Sequence, residues 1–197
     1  MAHPEIHVVA VVGSLRDRSY TRIAAEHALD AAASAGASTD LVDLRSLDLP
    51  VFDADRDRSD AGDADELASR IRAADAVILA TPVYHGSYSS PLKTALDYCG
   101  FDEFEGTTVG LLAVAGGAFP VTALEHLRSV CRALNAWVLP HEAAVARASD
   151  AIVDGSFVDD SLATRVETLG QRAVQYVSIE PDPRSFESEL NVGADGR

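Results

Sequence analysis

Residues 6–21 read IHVVAVVGSLRDRSYT, and this stretch decides the fold class. Residues 6–12 are an apolar, β-branched run of strand length, and Gly13 ends it. A strand buried on both faces reads this way, and such strands belong to parallel sheets covered by helices. From Tyr20 to Ala35 the period changes. Ile23, Ala24, Ala28, Ala31, Ala32 and Ala35 then share one helical face, and Gly36 stops the helix.

The same alternation repeats outward. Further strands are predicted at 39–44, 76–80, 108–115 and 137–139, the last ended by Pro140. Between them, Leu67, Ile71 and Ala74 mark a short helix. Ser90-Pro91 predicts a second, opened in cap-then-proline order, with Leu92, Ala95, Leu96 and Cys99 on one side. Thr122-x-x-Glu125 predicts a capping box for a third, carrying Leu124, Leu127, Cys131 and Leu134. Leu162, Val166, Leu169, Ala173 and Val177 define a closing helix. Five βα units without internal repeat predict an α/β fold, a parallel sheet with helices on both faces. Residues 1–180 form one domain in this reading, and 181–197 form a polar, frayed tail. The Asp- and Arg-rich stretch 45–63 is a long loop anchored only by Leu47, Leu49, Val51 and Phe52, and loops of that length tend to be functional or mobile.

Ligands of open parallel sheets bind outside the carboxyl ends of the strands, where strand order reverses. After the first strand, Gly13-Ser14-Leu15-Arg16-Asp17-Arg18-Ser19-Tyr20-Thr21 runs straight into a helix. Free backbone N–H groups, a helix N-terminus, the hydroxyls of Ser14, Ser19 and Thr21, and the fork of Arg16 together make an anion cradle. It is neither a Rossmann GxGxxG, having only Gly13, nor a Walker loop, lacking the closing Gly-Lys-Ser/Thr. Asp43 nonetheless falls where a Rossmann fold keeps its ribose acid. After the third strand, Pro82-Val83-Tyr84-His85-Gly86-Ser87 mixes apolar walls with exposed backbone, which suits a flat heteroaromatic ring. After the fourth, Ala115-Gly116-Gly117 lets the backbone approach a ligand closely. Phosphate at the first strand and a flat ring across the third and fourth describe a mononucleotide lying over the switch point.

The motifs GSLRDRSYT (13–21), TPVYHGSYSSPLKTALDY (81–98) and AGG (115–117) resemble those of the NADPH-dependent FMN reductase family, over roughly residues 6–177. The resemblance implies a flavodoxin-like three-layer sandwich with strand order 2-1-3-4-5. It implies FMN as cofactor and NADPH or NADH as hydride donor, with flavin, quinone, an azo compound or a metal oxyanion as acceptor. It puts the FMN phosphate on Ser14, Arg16, Ser19 and Thr21, beside Tyr20. It puts the isoalloxazine against Pro82, Val83, Tyr84, His85, Gly86 and Ser87, with Ala115, Gly116 and Gly117 at its edge. Thr21 departs from the asparagine many members carry, but a hydroxyl still reaches phosphate. The flavin carries the chemistry, so no catalytic side chain and no metal ligand are assigned. Lys93, four residues before Asp97, is read either as half of an intrahelical ion pair or as a contact across a dimer, since in relatives this helix lies at the subunit interface, and a homodimer or homotetramer is implied. The rival reading is a non-enzymatic flavodoxin-like electron carrier. A response-regulator receiver of the same fold is excluded, since Gly13-Ser14 and Thr81-Pro82 stand where its acids belong.

Composition bounds the partners. The chain has 197 residues, 16 basic against 31 acidic, a net charge of −15, and 47% hydrophobic residues. That charge excludes a nucleic-acid binder and a protein docking on anionic membrane. Asp (20) outnumbers Glu (11), and 15 of the cations are Arg against the single Lys93. An Asp-rich, Lys-poor surface predicts a salt-adapted protein. The start, MAHPEIHVVAVVG, has no basic region ahead of an apolar one, and the apolar run 109–121 is broken by glycines and a proline. A cytoplasmic location is expected. Cys99 and Cys131 fall at apolar helical positions with no CxxC and read as inert core thiols. His85 and the pair His141-Glu142 are candidates for the rim of the site. Arg45, Arg56, Arg58 and Arg147 are candidates for a 2′-phosphate.

Overall fold

The structure, a computed structural model, describes residues 5–177. Along the chain run β1 (His7–Val12), α1 (Tyr20–Ser34), β2 (Ser38–Asp43), α2 (Ala64–Arg72), β3 (Ala76–Pro82), α3 (Ser90–Asp97) and α4 (Phe101–Phe104). They are followed by β4 (Thr108–Val114), α5 (Val121–Ala133), β5 (Trp137–Val145), α6 (Ala148–Ala151), β6 (Ile152–Val153), β7 (Ser156–Phe157) and α7 (Asp160–Gln175). The first five strands pair in parallel in the order β2-β1-β3-β4-β5, as the sequence reading expects. The tail from 181 lies outside the described residues.

Alternation along the strands builds two cores. Val8, Ala10 and Val12 of β1 join Ile78, Leu112 and Val114 in one layer with α1 and α7. Val9 and Val11 join Val77, Leu79 and Leu111 in the other, with residues of α2, α3, α4 and α5. In β1, β3 and β4 almost every residue is buried, which is why these strands read as unbroken apolar runs. α1 and α7 pack backbone to backbone. A Cβ built on Gly170 would lie 1.9 Å from the Ala28 carbonyl oxygen.

Three local expectations are corrected. β5 does not stop at Pro140 but continues to Val145, with a register shift between the Val109–Val138 and Leu111–Glu142 pairs. β5 is an edge strand and the proline sits in its bulge, so the missing N–H breaks no ladder. The Thr122–Glu125 box does not form. Pro120 already has helical dihedrals and is the N-cap of α5, which leaves Thr122 inside the first turn. The cap of α3 is Ser89, one residue before the serine read from sequence. Its Oγ accepts from the Leu92 N–H, so Pro91 becomes the second helical residue. The sequence reading also missed α4 and the β6–β7 hairpin, whose turn residues Asp154 and Gly155 have φ of 50° and 81°.

Stretch 45–63 is anchored well beyond its apolar residues. Its ends are joined where the Asp63 N–H meets the Asp48 carbonyl at 2.9 Å and the Asp48 N–H meets Asp63 Oδ2 at 2.7 Å. Arg58 donates to Asp65 (2.8 Å), to the Tyr98 carbonyl (3.2 Å) and to Glu103 (3.1 Å). Glu103 is 2% exposed and also accepts from Arg72 and from the Gly100 N–H at 2.8 Å. The Tyr98 hydroxyl donates to the Pro50 carbonyl at 3.1 Å, and Phe52 packs edge-on against the Tyr98 ring.

Candidate functional site

Three loops meet at the carboxyl ends of β1, β3 and β4 around a cleft of about 380 Å³. Gly13 turns the first loop. Its N–H donates to the Ala80 carbonyl at 2.8 Å and its own carbonyl accepts from Ser89 Oγ at 2.6 Å. A Cβ there would lie 2.7 Å from Ser89 Oγ and 2.8 Å from Leu92 Cβ, so only glycine lets the loop lie against the start of α3.

The backbone of this loop is oriented from outside. Arg45 donates to the Leu15 carbonyl at 2.5 Å, and Arg22 donates to the Arg16 carbonyl at 3.3 Å. In a planar trans peptide the N–H points opposite to the carbonyl, so the Arg16 N–H, which reaches Ser14 Oγ at 3.5 Å, and the Asp17 N–H point away from these two arginines. Among the described residues, the N–H groups of Leu15, Asp17, Arg18, Tyr20 and Thr21 have no acceptor within the protein. Ser14 and Thr21, each 2% exposed, line the cleft, as do Arg16, Arg18 and Tyr20. Ser19 instead caps α1, its Oγ accepting from the Arg22 N–H at 3.1 Å. Free N–H groups, two hydroxyls, two arginines and a helix N-terminus form a donor set for a phosphate monoester.

The second loop supplies a wall. Val83 N–H binds the Val114 carbonyl at 3.0 Å, and Tyr84 and Ser87 exchange two backbone bonds of 3.0 and 3.1 Å. His85 (φ 51°) and Gly86 (φ 78°) are therefore the centre of a tight turn with both residues left-handed. Pro82, Val83 and Tyr84 line the cleft, and the Tyr84 side chain is half exposed at its mouth. The third loop faces it. The Ala115 N–H donates to the Val145 carbonyl at 2.8 Å, the Arg147 N–H to Gly117 at 2.9 Å, and the Ala148 N–H to Ala115 at 3.0 Å. Open space surrounds the missing Cβ of both Gly116 and Gly117. Among the described residues, the N–H groups of His85, Gly86, Gly116 and Gly117 are also without acceptors. A planar ring with an acceptor-rich edge fits between such loops.

The cleft thus brings together Ser14, Arg16, Tyr20, Thr21, Pro82, Val83, Tyr84 and Gly116 of the sequence reading. Ser19, His85, Gly86, Ser87, Ala115 and Gly117 belong to the loops that frame it but are not part of its lining. Arg18, Val114, Ala148 and Ser149 line it and were not read from sequence. Arg18, Tyr20 and Ser149 also border a neighbouring hollow of about 510 Å³ under the β6–β7 hairpin.

Several other candidates have structural partners. Asp43 holds Arg22 at 2.9 Å and caps the turn that follows β2 through the Arg45 N–H. Arg45 pairs with Asp17, and Arg58 with Asp65 and Glu103. His141 and Glu142 lie within β5 and not beyond it. His141 Nε2 is 2.9 Å from the Arg165 carbonyl, and Glu142 pairs with Arg128. Lys93 pairs with Asp97 one turn on, at 2.5 Å. Burial pushes the Cys99 and Cys131 thiols up to about 12, which keeps them protonated and unreactive. Among the described residues there is no cluster of three or more metal-ligating side chains, and no helix is long and apolar enough to cross a membrane.

The sequence profile of the NADPH-dependent FMN reductase family matches residues 6–150. The NADPH azoreductase of Bacillus sp. (strain OY1-2) is 30% identical over 154 residues, 78% of this chain and 79% of that one. The FMN-dependent NADPH-azoreductase of Staphylococcus aureus (strain USA300) is 36% identical over 119 residues, 59% of this chain and 63% of that one. Among solved structures, the flavoenzyme NAD(P)H:(acceptor) oxidoreductase FerB from Paracoccus denitrificans superposes with a TM-score of 0.74 at 22% identity, covering 87% of this chain and 97% of that one. An NADH:FMN oxidoreductase in its apo form superposes with the same TM-score at 24% identity, covering 89% and 92%. Both share the fold described above.

Proposed function

Because this chain belongs to the NADPH-dependent FMN reductase family, we propose that the cleft between the three loops is its FMN site. The chain is an FMN-dependent NAD(P)H oxidoreductase that reduces small acceptors. Flavin, quinone, azo compounds and metal oxyanions are the acceptor classes, with azo compounds favoured by the names of the two relatives.

The observation that carries this reading is the donor set of the first loop. The free N–H groups of Leu15, Asp17, Arg18, Tyr20 and Thr21, with the hydroxyls of Ser14 and Thr21 and the side chains of Arg16 and Arg18, would supply the donors for the phosphate. Tyr84 and Pro82 would flank the ring, and the N–H groups of His85, Gly86, Gly116 and Gly117 are the donors available to its edge. FMN held by these residues would supply the redox chemistry between nicotinamide and acceptor, so no side chain of the protein need be oxidised or reduced. The protein's own part is to orient the ring, leave one face open at the half-exposed Tyr84, and offset the charge of the phosphate and the reduced ring with fixed dipoles.

Residues 1–180 act as a single domain in this reading, located in the cytoplasm and assembled as a homodimer or homotetramer. The Asp-rich, Lys-poor surface supports a salt-adapted protein, which would lose folding and activity on dialysis into low salt. The deciding experiment is an absorbance spectrum of the purified chain, then NADPH and NADH oxidation across an acceptor panel. A flavin spectrum with steady turnover is expected. A protein that neither carries nor binds FMN overturns the reading, and one that binds FMN without steady NAD(P)H oxidation is an electron carrier.

A further inference from the structure

Beyond the cleft itself, one contact joins its second loop to α5. Ser87 Oγ and His126 Nδ1 lie 2.9 Å apart. Ser87 ends the turn that begins at Tyr84, and His126 is on α5, the helix that follows the Gly116–Gly117 loop. We propose that His126 is a positioning residue for the cofactor ring. Through Ser87 it ties the Tyr84–Ser87 turn to α5 and fixes the spacing between the two loops that flank the ring. The proposal rests on the FMN reading of the cleft.

The turn needs such a tether. Its two backbone bonds, Tyr84 N–H to Ser87 carbonyl and the reverse, close it on itself and attach it to nothing else. Its base is attached by the Val83 N–H bond to the Val114 carbonyl and by the Ser89 N–H bond to Thr81 Oγ1 at 3.0 Å. Between these points the tip carries two left-handed residues and the half-exposed Tyr84 ring, and no further backbone bond joins it to the rest of the described residues. The Ser87–His126 bond restrains the tip. His126 is exposed and on the face of α5 opposite the buried Leu124, Leu127 and Cys131. Water competes for an exposed bond of this kind, so its contribution to global folding is small. Its effect instead falls on holding one wall of the cleft in place, an ordering cost that a ligand otherwise meets on binding.

Hydroxyl and imidazole are matched chemically. The Ser87 hydroxyl donates to the unprotonated Nδ1 when the ring carries its proton on Nε2. An asparagine at 126 would offer its side-chain carbonyl oxygen at a similar reach, and an alanine would offer nothing.

The test uses the full chain, stripped of flavin and titrated with FMN by fluorescence, as wild type, His126→Ala, Ser87→Ala, the double variant and His126→Asn. Each single alanine variant is expected to weaken FMN binding about three- to tenfold, the range of one net hydrogen bond. The double variant should bind no more weakly than the weaker single one, and His126→Asn should return to within about twofold of wild type. The urea midpoint should stay close to wild type in all of them. A wild type that fails to bind FMN overturns the reading of the cleft and this proposal with it. A wild type that binds while His126→Ala matches it overturns the proposal alone. So do single effects that multiply in the double variant, or a fall in the urea midpoint with FMN affinity unchanged, which is the mark of a purely structural role.

Discussion

Gly170→Ala sets two physical effects against each other, and the structure decides between them. Gly170 is in the interior of α7, where glycine is about 1 kcal/mol less favourable than alanine. Propensity alone therefore predicts a more stable protein. A Cβ at this position, however, would lie 1.9 Å from the Ala28 carbonyl oxygen, 2.9 Å from its carbon and 3.2 Å from the Ala32 nitrogen. All three are backbone atoms of α1, which cannot rotate aside as a side chain would. The helices must part by about an ångström or more, opening a seam in which Ala24, Ala25, Ala28, Ala32 and Ala173 are fully buried. Overpacking costs about 1–3 kcal/mol, and a rigid obstacle puts this case near the upper end. Setting about 3 against about 1 leaves a destabilisation of about 2 kcal/mol. Equilibrium urea unfolding reads it directly. With a slope of about 2 kcal/mol/M, the midpoint should fall by about 1 M at unchanged slope. FMN affinity should fall too, because the first turn of α1 carries Tyr20 and Thr21 of the cleft. A midpoint equal to wild type or higher would refute the packing argument.

Arg16→Ala should weaken FMN binding about tenfold, a partly exposed charge-assisted contact, and unchanged affinity by fluorescence titration would remove Arg16 from the phosphate cradle. Glu103→Ala leaves Arg58, Arg72 and the Gly100 N–H without their shared acceptor, but both arginines reach water, so the loss should be about 2 kcal/mol. Limited proteolysis should then cut faster within 45–63, and an unchanged digest would show that the clasp does not hold that segment. The two cysteine thiols give a pH signature. They ionise near 9 when unfolded but only at about 12 in the fold, so stability is unaffected below about pH 9 and declines above it as the unfolded state sheds protons. A Cys99→Ala/Cys131→Ala variant should show a shallower alkaline decline in urea midpoint, and an equal decline would contradict the burial argument.

What was legible in the sequence was local. A buried strand, the glycine that ends it and the start of the next helix are close together in the chain, so the course of the first loop could be read directly, although Ser19, read there as a phosphate ligand, caps α1 instead. Pro140 was misleading because its meaning depends on a neighbour. In a central strand it would break the ladder, but β5 is at the edge and absorbs it as a bulge. His141 and Glu142 were misplaced for the same reason. Thr122 and Glu125 have the right spacing for a box, yet Pro120 starts the helix first. Least legible were the long-range polar contacts. Arg45 reaches the Leu15 carbonyl from 30 residues away, and Arg58 reaches Glu103 from 45. Such contacts leave no periodic trace, because the residues need only meet once the sheet has set their distance. Gly170 likewise reads as a blemish in a helix until α1 is packed against it.

Those long-range arginines also answer how a chain with 31 acids and 16 cations can hold a phosphate. Asp17 in the first loop and Asp43 at the end of β2 are each paired, with Arg45 and Arg22. The same two arginines take up the carbonyls of Leu15 and Arg16, removing from the cleft the other source of negative potential. What is left unpaired in this loop is N–H groups and the start of α1, together with the cleft-lining Arg16 and Arg18, which enter no ion pair among the described residues. Arg56 and Arg147 also lie in loops without an ion pair among the described residues, so what distinguishes Arg16 and Arg18 is their place in the lining of the cleft, and in the FMN reading their partner is the phosphate. In the FMN reading the anion site would depend less on added cations than on pairing of the local acids and on free backbone donors. Such donors act within a few ångströms, where the overall negative field of the surface, screened by salt, has little hold.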